Sequence, residues 1–141
     1  MSEPAGVLGI VVAHGEMAIG LTDAVRNITG IGPDALVPLS NRGLAPAALA
    51  EAIQRAAGTR PTILFTDLPS GSCGVAARLT ARHDPNLVVI CGVNLPMLLD
   101  FVTHRDKSLV ELASRLVSRG RAAIACAAPD FGSNGDSPVS S

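Results

Sequence analysis

The sequence is almost without aromatic residues: its 141 residues include three phenylalanines and no tryptophan or tyrosine. Proteins that bind single-stranded nucleic acid depend on aromatic side chains that stack on the bases. The sequence also lacks any run of lysine and arginine, and its formal net charge is −1. Since affinity for nucleic acid comes largely from clustered basic residues, we expect no nucleic-acid partner.

Cysteine pairs and long apolar runs are missing too. Cys73, Cys91 and Cys126 are widely spaced and form no CxxC motif, which is typical of reduced thiols in a cytosolic protein. No apolar run approaches the roughly 20 residues that a membrane-spanning helix needs. The N-terminus lacks the basic region of a signal peptide. We therefore expect the protein to be cytoplasmic.

Aliphatic residues make up most of what remains. Hydrophobic residues account for 48% of the sequence and charged residues for only 16%, which favours one folded domain with a core of Val, Leu, Ile and Ala. Apolar runs that predict strands alternate with amphipathic patterns that predict helices. The predicted strands are 7–13, 35–39, 61–66 and 87–91, and the predicted helices begin near residues 17, 46, 72, 95 and 108.

This alternation with short loops predicts an α/β fold. We expect a doubly wound, mostly parallel four-stranded sheet in the order 2-1-3-4, flanked by helices. Pro38 lies within the second strand and cannot donate a ladder hydrogen bond, so this strand is expected at an edge. Ser108 and Glu111 predict a capping box at the start of the last helix. We assign residues 1–127 to the domain and expect 128–141 to be a disordered tail.

Finer features of the helices are also predicted. Gly120 is a candidate end of the last helix, and the residues leave open whether 121–127 continue that helix or form an extra C-terminal edge strand. Apolar residues at helical spacing predict which side chains are buried. These are Met17, Leu21, Ala24, Val25 and Ile28 in the first helix, and Val75, Ala76 and Leu79 in the third.

A histidine and a carboxylate follow the two strands that are predicted to lie side by side in the sheet. His14 ends the first strand and Asp67 ends the third. Ligands of doubly wound sheets bind at the carboxyl ends of the strands, where the strand order reverses. In the order 2-1-3-4 this point lies between the first and third strands. We therefore expect His14, Asp67 and the loop 70–72 to share one crevice.

These residue types suit a nucleophilic histidine. A neutral imidazole presents a lone pair on one nitrogen when its proton is on the other, and Asp67 would fix that tautomer and stabilise the charge that develops. Ser70, Gly71 and Ser72, which open the third helix, can bind phosphoryl oxygens through backbone N–H groups. Phosphoryl transfer needs mainly positioning and charge stabilisation. We therefore predict catalytic roles for His14 and Asp67, with no metal and no cofactor.

Simpler interpretations of single residues stay open at this level. A histidine at the end of a strand is often structural, and an aspartate there often only forms a turn. His83, at the end of the third helix, and His104, in a charged turn, are interpreted as surface residues, and no histidine pair has metal-ligand spacing. Cys73 begins a helix, where a thiolate is favoured, but we expect it to be a small buried residue.

Three blocks of the sequence resemble one protein family. They are residues 9–15 (GIVVAHG), 64–72 (LFTDLPSGS) and 92–99 (GVNLPMLL). In order and spacing they are similar to the enzyme IIA domain of the mannose-type (mannose/fructose/sorbose) sugar phosphotransferase system (PTS). The resemblance covers about residues 7–127, and block 92–99 is the most specific of the three.

The resemblance implies a role and partners. In that family the histidine after the first strand accepts a phosphoryl group from the phosphocarrier HPr and passes it to a histidine of a IIB domain, whose membrane partners IIC and IID carry the sugar. His14 matches this histidine, Asp67 the aspartate that orients the imidazole, and Ser72 the serine of a Gly-Gly-Ser loop. Family members are typically homodimers, some with an exchanged C-terminal strand, for which 121–127 is the candidate here.

The sequence departs from the family pattern in one loop and at its end. The family loop usually has Gly-Gly-Ser-Pro where this chain has Ser70-Gly71-Ser72-Cys73. A serine at 70 would conflict with a positive φ at that position, or its hydroxyl would add a donor to the phosphate. We expect no fused IIB domain and therefore a protein that acts in trans. The alternative is a standalone regulatory module that signals its phosphorylation state by binding other proteins.

Overall fold

Four strands and five helices alternate along the chain in the computed structural model, which describes residues 6–127. The strands are β1 (Leu8–Ala13), β2 (Leu36–Ser40), β3 (Thr62–Thr66) and β4 (Leu87–Cys91). The helices are α1 (Met17–Thr29), α2 (Pro46–Ala57), α3 (Gly71–Arg82), α4 (Leu95–Val102) and α5 (Leu109–Ala122). Within the described range, no helix is both long and apolar enough to cross a membrane. The tail predicted at 128–141 lies outside that range.

The strands form one parallel sheet in the order β2-β1-β3-β4, which confirms the predicted topology. Pro38 lies on β2, at an edge of the sheet as predicted, opposite Val11 of β1. On the other side of β1, Val12 is the register partner of Thr66, the last residue of β3. Since both strands run in the same direction, the residues that follow them emerge at the same edge.

The sheet has a separate apolar core on each face. On one face, residues such as Val11 and Phe65 pack with residues of α1, α4 and α5. On the other face, residues such as Ile10 and Leu64 pack with residues of α2 and α3. Both faces of the central strands are thus buried, which explains the continuous apolar runs that a parallel sheet needs.

The buried face of α1 differs in part from the predicted one. Val25 is buried as predicted, but Met17 and Ile28 are 44% and 61% exposed, and Ala18 and Thr22 are buried instead. The Thr22 hydroxyl donates to a carbonyl oxygen one turn earlier in the helix (3.1 Å), so its burial leaves no unsatisfied donor. The contact surface of α1 is therefore rotated towards small and β-branched residues.

Small residues also form the buried face of α3. Ala76 is buried as predicted, whereas Val75 and Leu79 are 38% and 42% exposed. A Cβ atom on Gly74 would lie 2.6 Å from the carbonyl oxygen of Pro69. Position 74 therefore has no room for a side chain, and the face that α3 buries consists of small residues and a threonine. The buried residues are Cys73, Gly74, Ala76, Ala77 and Thr80.

The last helix begins as predicted but does not end at Gly120. The Ser108 hydroxyl oxygen accepts from the Glu111 backbone N–H (3.3 Å), which confirms the cap. The helix runs on to Ala122. Within it Gly120 packs against α4, since a Cβ atom there would lie 2.6 Å from the Met97 methyl carbon. Residues 124–127 are irregular, and up to residue 127 no strand follows β4.

Candidate functional site

His14 lies directly after β1, at the carboxyl edge of the sheet, and its side chain is 41% exposed. The chain turns at Gly15, whose φ is +57°, and α1 begins two residues later. The backbone carbonyl oxygen of His14 accepts from the N–H of Met17 (3.2 Å). The imidazole is thus held by a tight turn between a buried strand and a helix while remaining accessible.

Asp67 follows β3 and contacts His14 twice. Its Oδ2 accepts from Nδ1 of the imidazole (2.8 Å) and from the backbone N–H of His14 (3.0 Å), while its Oδ1 accepts from the backbone N–H of Leu68 (3.0 Å). The Asp67 side chain is only 8% exposed. The structure therefore brings together the histidine and carboxylate that the sequence placed at the switch point.

These contacts favour the ionised form of Asp67 and one tautomer of neutral His14. Burial raises the pKa of Asp67, but the hydrogen bonds from the backbone and side chain of His14 outweigh it, so the pKa lies below its ordinary value. An ionised carboxylate only accepts hydrogen bonds, which assigns the ring proton of neutral His14 to Nδ1. The lone pair of the imidazole is then on Nε2.

The first residue of α3 lies against this free nitrogen. A Cβ atom on Gly71 would lie 3.3 Å from Cε1 and 3.4 Å from Nε2 of His14. Gly71 has φ +82°, whereas Ser70 has an extended backbone (φ −119°, ψ −175°). The position that needs glycine is therefore Gly71, and the serine at 70 causes no backbone strain. The Ser70 side chain makes no capping hydrogen bond to α3.

We expect Gly71→Ala to impair the site more than the fold. The new methyl group would contact His14 where a group bound to Nε2 must sit, and a positive φ costs an alanine about 1–2 kcal/mol. Any reaction at Nε2 should slow at least tenfold. The unfolding free energy should fall by about 1–2 kcal/mol, the cost of the positive φ. Gly30→Ala is the matched control, because Gly30, at the far end of α1, also has a positive φ (+75°) but has open space around its Cβ position. Equal activity of the two variants would contradict this account.

The loop after β2 also reaches the site, which the sequence analysis missed. The Ser40 hydroxyl donates to the Gly15 carbonyl oxygen (2.8 Å), and Asn41 contacts both Gly15 and Ser72 through its side-chain amide. Arg42 lies beside this turn, where it pairs with Glu16 (3.5 Å). The predicted strand order could have indicated this contact, because β2 was predicted to lie next to β1 and must therefore end at the same edge of the sheet.

Cys73 lies beneath the same pair. One ligand atom each from His14, Asp67 and Cys73 lie within 4.8 Å of one another, a set of nitrogen, oxygen and sulfur donors that zinc accepts. Burial, followed by the nearby Asp67 carboxylate, raises the pKa of the Cys73 thiol, which keeps it protonated. Because Nδ1 of His14 and the Asp67 carboxylate already form a hydrogen bond, the three side chains are arranged as a hydrogen-bonded pair next to a buried thiol. The absence of a metal remains a prediction.

The other two histidines lie outside this arrangement. His83 ends α3 and is exposed, as predicted. His104 is less exposed than predicted. Its side chain is 27% exposed, and its Nδ1 lies 2.8 Å from the backbone oxygen of Asp100. The Asp100 carboxylate also accepts two hydrogen bonds from Arg115 (2.8 and 3.0 Å). His104 therefore belongs to a network that joins α4 and α5.

The chain is similar to one family of proteins over most of its length. The family model described as PTS system fructose IIA component matches residues 9–116, which include His14, Asp67 and the loop 70–72. No curated protein sequence matches the chain significantly.

Several solved structures of phosphotransferase system proteins have the same fold. The mannose/sorbose specific IIA subunit from Enterococcus faecalis is 30% identical, with a TM-score of 0.74 over 86% of this chain and 94% of that chain. Phosphotransferase system component EIIA from Streptococcus agalactiae is 24% identical, with a TM-score of 0.76 over 85% and 96%. The PTS IIA protein associated with the fucose utilization operon from Streptococcus pneumoniae is 18% identical, with a TM-score of 0.73 over 84% and 91%. The last two likenesses support the fold alone.

Proposed function

Because the chain belongs to the family of the PTS fructose IIA component, we propose that it is a phosphohistidine carrier of the sugar phosphotransferase system. In this proposal His14 accepts a phosphoryl group from phospho-HPr and passes it to a histidine of a IIB protein. One observation carries the proposal: the Asp67 carboxylate holds Nδ1 of His14 at 2.8 Å, which leaves Nε2 free beside Gly71.

The proposed transfer is a single displacement at phosphorus. The lone pair of His14 Nε2 attacks while the P–N bond of the donor phosphohistidine breaks, and the electrons of that bond stay on the donor nitrogen. The donor ring, protonated on its other nitrogen, leaves as a neutral imidazole. No proton crosses the site, because the Nδ1 proton of His14 stays in its hydrogen bond to Asp67.

Charge explains the proposed role of Asp67. The positive charge that leaves the donor ring appears on the phosphorylated ring of His14, next to an ionised carboxylate of low exposure. The carboxylate stabilises this charge and holds the ring in the tautomer that attacks. The first N–H groups of α3, which have no partner within the helix, are then suited to bind the phosphoryl oxygens through Gly71 and Ser72.

Labelling with phosphoenolpyruvate, enzyme I and HPr tests this function. The protein should become labelled, His14→Ala should stay unlabelled, and His83→Ala, which removes an exposed histidine outside the site, should label like the wild type. Equal labelling of His14→Ala and the wild type would contradict the proposal. Addition of a IIB protein should then remove the label, and a label that no IIB protein accepts would favour the regulatory alternative.

The same proposal gives the protein its location and indirect partners. HPr and IIB proteins act in the cytoplasm, so we place this chain there, with the membrane components IIC and IID reached only through IIB. The sugar is chosen by those components.

We further propose that the protein is a homodimer. β4 is an edge strand, and an apolar groove lies between it and α5, lined by residues that include Val89, Ala113 and Val117. Ile124, two residues after the end of α5, is 76% exposed. A second copy of the chain that covers the groove and packs against Ile124 would bury this apolar surface, as the resemblance implies.

Light scattering on the purified protein measures the mass directly. We expect about twice the 14.3 kDa of one chain. Ile124→Asp should shift the mass towards that of a monomer, because it places a charge in the proposed interface. Ile28→Asp, at a residue of α1 that is 61% exposed, is the matched control and should leave the mass unchanged. A monomeric wild type at all concentrations would contradict the proposal.

A further inference from the structure

The side chain of Asn41 connects the two halves of the candidate site. It accepts a hydrogen bond from the backbone N–H of Gly15 (3.3 Å) and donates one to the hydroxyl oxygen of Ser72 (3.0 Å). Gly15 belongs to the turn that carries His14, and Ser72 lies in the first turn of α3. The loop itself is fixed, because the backbone N–H of Asn41 donates to the carbonyl oxygen of Ala13 (3.3 Å).

The orientation of the amide follows from its partners. A backbone N–H can only donate, so the atom of Asn41 that faces Gly15 must be Oδ1. The amide nitrogen then faces Ser72, whose hydroxyl oxygen must act as the acceptor. A hydroxyl has one proton and two lone pairs. With one lone pair engaged by Asn41, the Ser72 proton is left for another acceptor.

A phosphoryl group would supply that acceptor. Gly71, the neighbour of Ser72, lies against Nε2 of His14, so a group on Nε2 would sit beside the first turn of α3. Its oxygens are strong acceptors. We infer that Asn41 is a positioning residue for phosphoryl transfer: anchored by the Gly15 N–H, it holds the Ser72 hydroxyl as a donor to the phosphoryl group. This inference rests on the proposed function.

Two substitutions of Asn41 separate its two contacts. Asn41→Ala removes both. Asn41→Asp keeps an acceptor for the Gly15 N–H but cannot donate to Ser72, whose proton would then go to the new carboxylate. We expect either variant to slow phosphorylation by phospho-HPr about tenfold, the effect of one hydrogen bond. Asn27→Ala, which removes an exposed asparagine of α1, is the matched control and should have the wild-type rate.

A double-mutant cycle distinguishes positioning from general support of the fold. Ser72→Ala should also slow the reaction about tenfold, and Asn41→Ala combined with Ser72→Ala should be no slower than either variant alone, because Asn41 acts through Ser72. Wild-type rates for both Asn41 variants, or rate losses that multiply in the double variant, would overturn the inference. If the wild type itself is not phosphorylated, the proposed function fails, and that outcome is distinct from a phosphorylated wild type with a normal Asn41→Ala variant.

Discussion

Asp67→Ala is expected to slow phosphoryl transfer to His14 by up to about 10⁴-fold, the loss seen when the aspartate that orients the histidine of a Ser-His-Asp triad is replaced. Without Asp67, nothing selects the tautomer with its proton on Nδ1, and the positive ring that forms on phosphorylation has no counter-charge. The measurement is the initial rate of phosphorylation by phospho-HPr in rapid-quench experiments. Asp67→Asn keeps the shape of the side chain and should be almost as slow, because it lacks the charge.

The fold should tolerate the change better than the reaction does. Asp67 also accepts from the backbone N–H groups of His14 and Leu68, so a moderate loss of unfolding free energy of about 1–3 kcal/mol is expected. Asp23→Asn, at an exposed residue of α1, is the matched control for loss of a carboxylate and should keep the wild-type rate. A wild-type rate for Asp67→Ala would refute the orienting role.

Phe101→Ala should produce the largest loss of stability, about 3–5 kcal/mol of unfolding free energy. Phe101 is fully buried and meets Phe65 edge-on, with ring centroids 5.3 Å apart and an interplanar angle of 75°. It also fills the space above Gly9, where a Cβ atom would lie 2.7 Å from the Phe101 ring. Truncation would therefore leave a cavity between α4 and the centre of the sheet.

Urea denaturation measures this loss, provided that the wild type and the variant unfold with the same dependence on urea. Phe101→Leu keeps most of the apolar volume and should lose clearly less. Phosphorylation of folded Phe101→Ala should stay close to normal, since Phe101 does not contact His14 or Asp67. A loss of under about 1 kcal/mol would show that the core can collapse around the gap.

The sequence was sufficient to predict the sheet and the central pair of the site. Alternating apolar runs and helical patterns determined the strand order, and this order placed His14 next to Asp67 without any information on side chains. The faces of α1 and α3 were harder to predict. Hydropathy favoured Met17 in α1 and Val75 in α3. The residues that these helices bury include small or β-branched ones instead, such as Thr22 and Gly74.

The rest of the site depends on contacts that pattern analysis does not capture. Asn41 forms hydrogen bonds with Gly15 and Ser72, which lie 26 and 31 positions away in the sequence. The sequence of a polar loop does not indicate which of its side chains makes such contacts. The conflict expected at Ser70 depends on the backbone conformation of the loop. The family loop has two adjacent glycines, and in this chain the positive φ lies at the second of these positions, Gly71.

His14 Nε2 is the atom proposed to carry the phosphoryl group, so the most direct test identifies the phosphorylated nitrogen. Long-range ¹H–¹⁵N and ³¹P–¹⁵N correlation spectra of the ¹⁵N-labelled protein, recorded after phosphorylation by HPr, distinguish Nε2 from Nδ1. We predict a phosphorus–nitrogen coupling at Nε2 of His14, with a proton still on Nδ1 in its hydrogen bond to Asp67. A phosphoryl group on Nδ1 of His14, or on His83 or His104, would contradict the account.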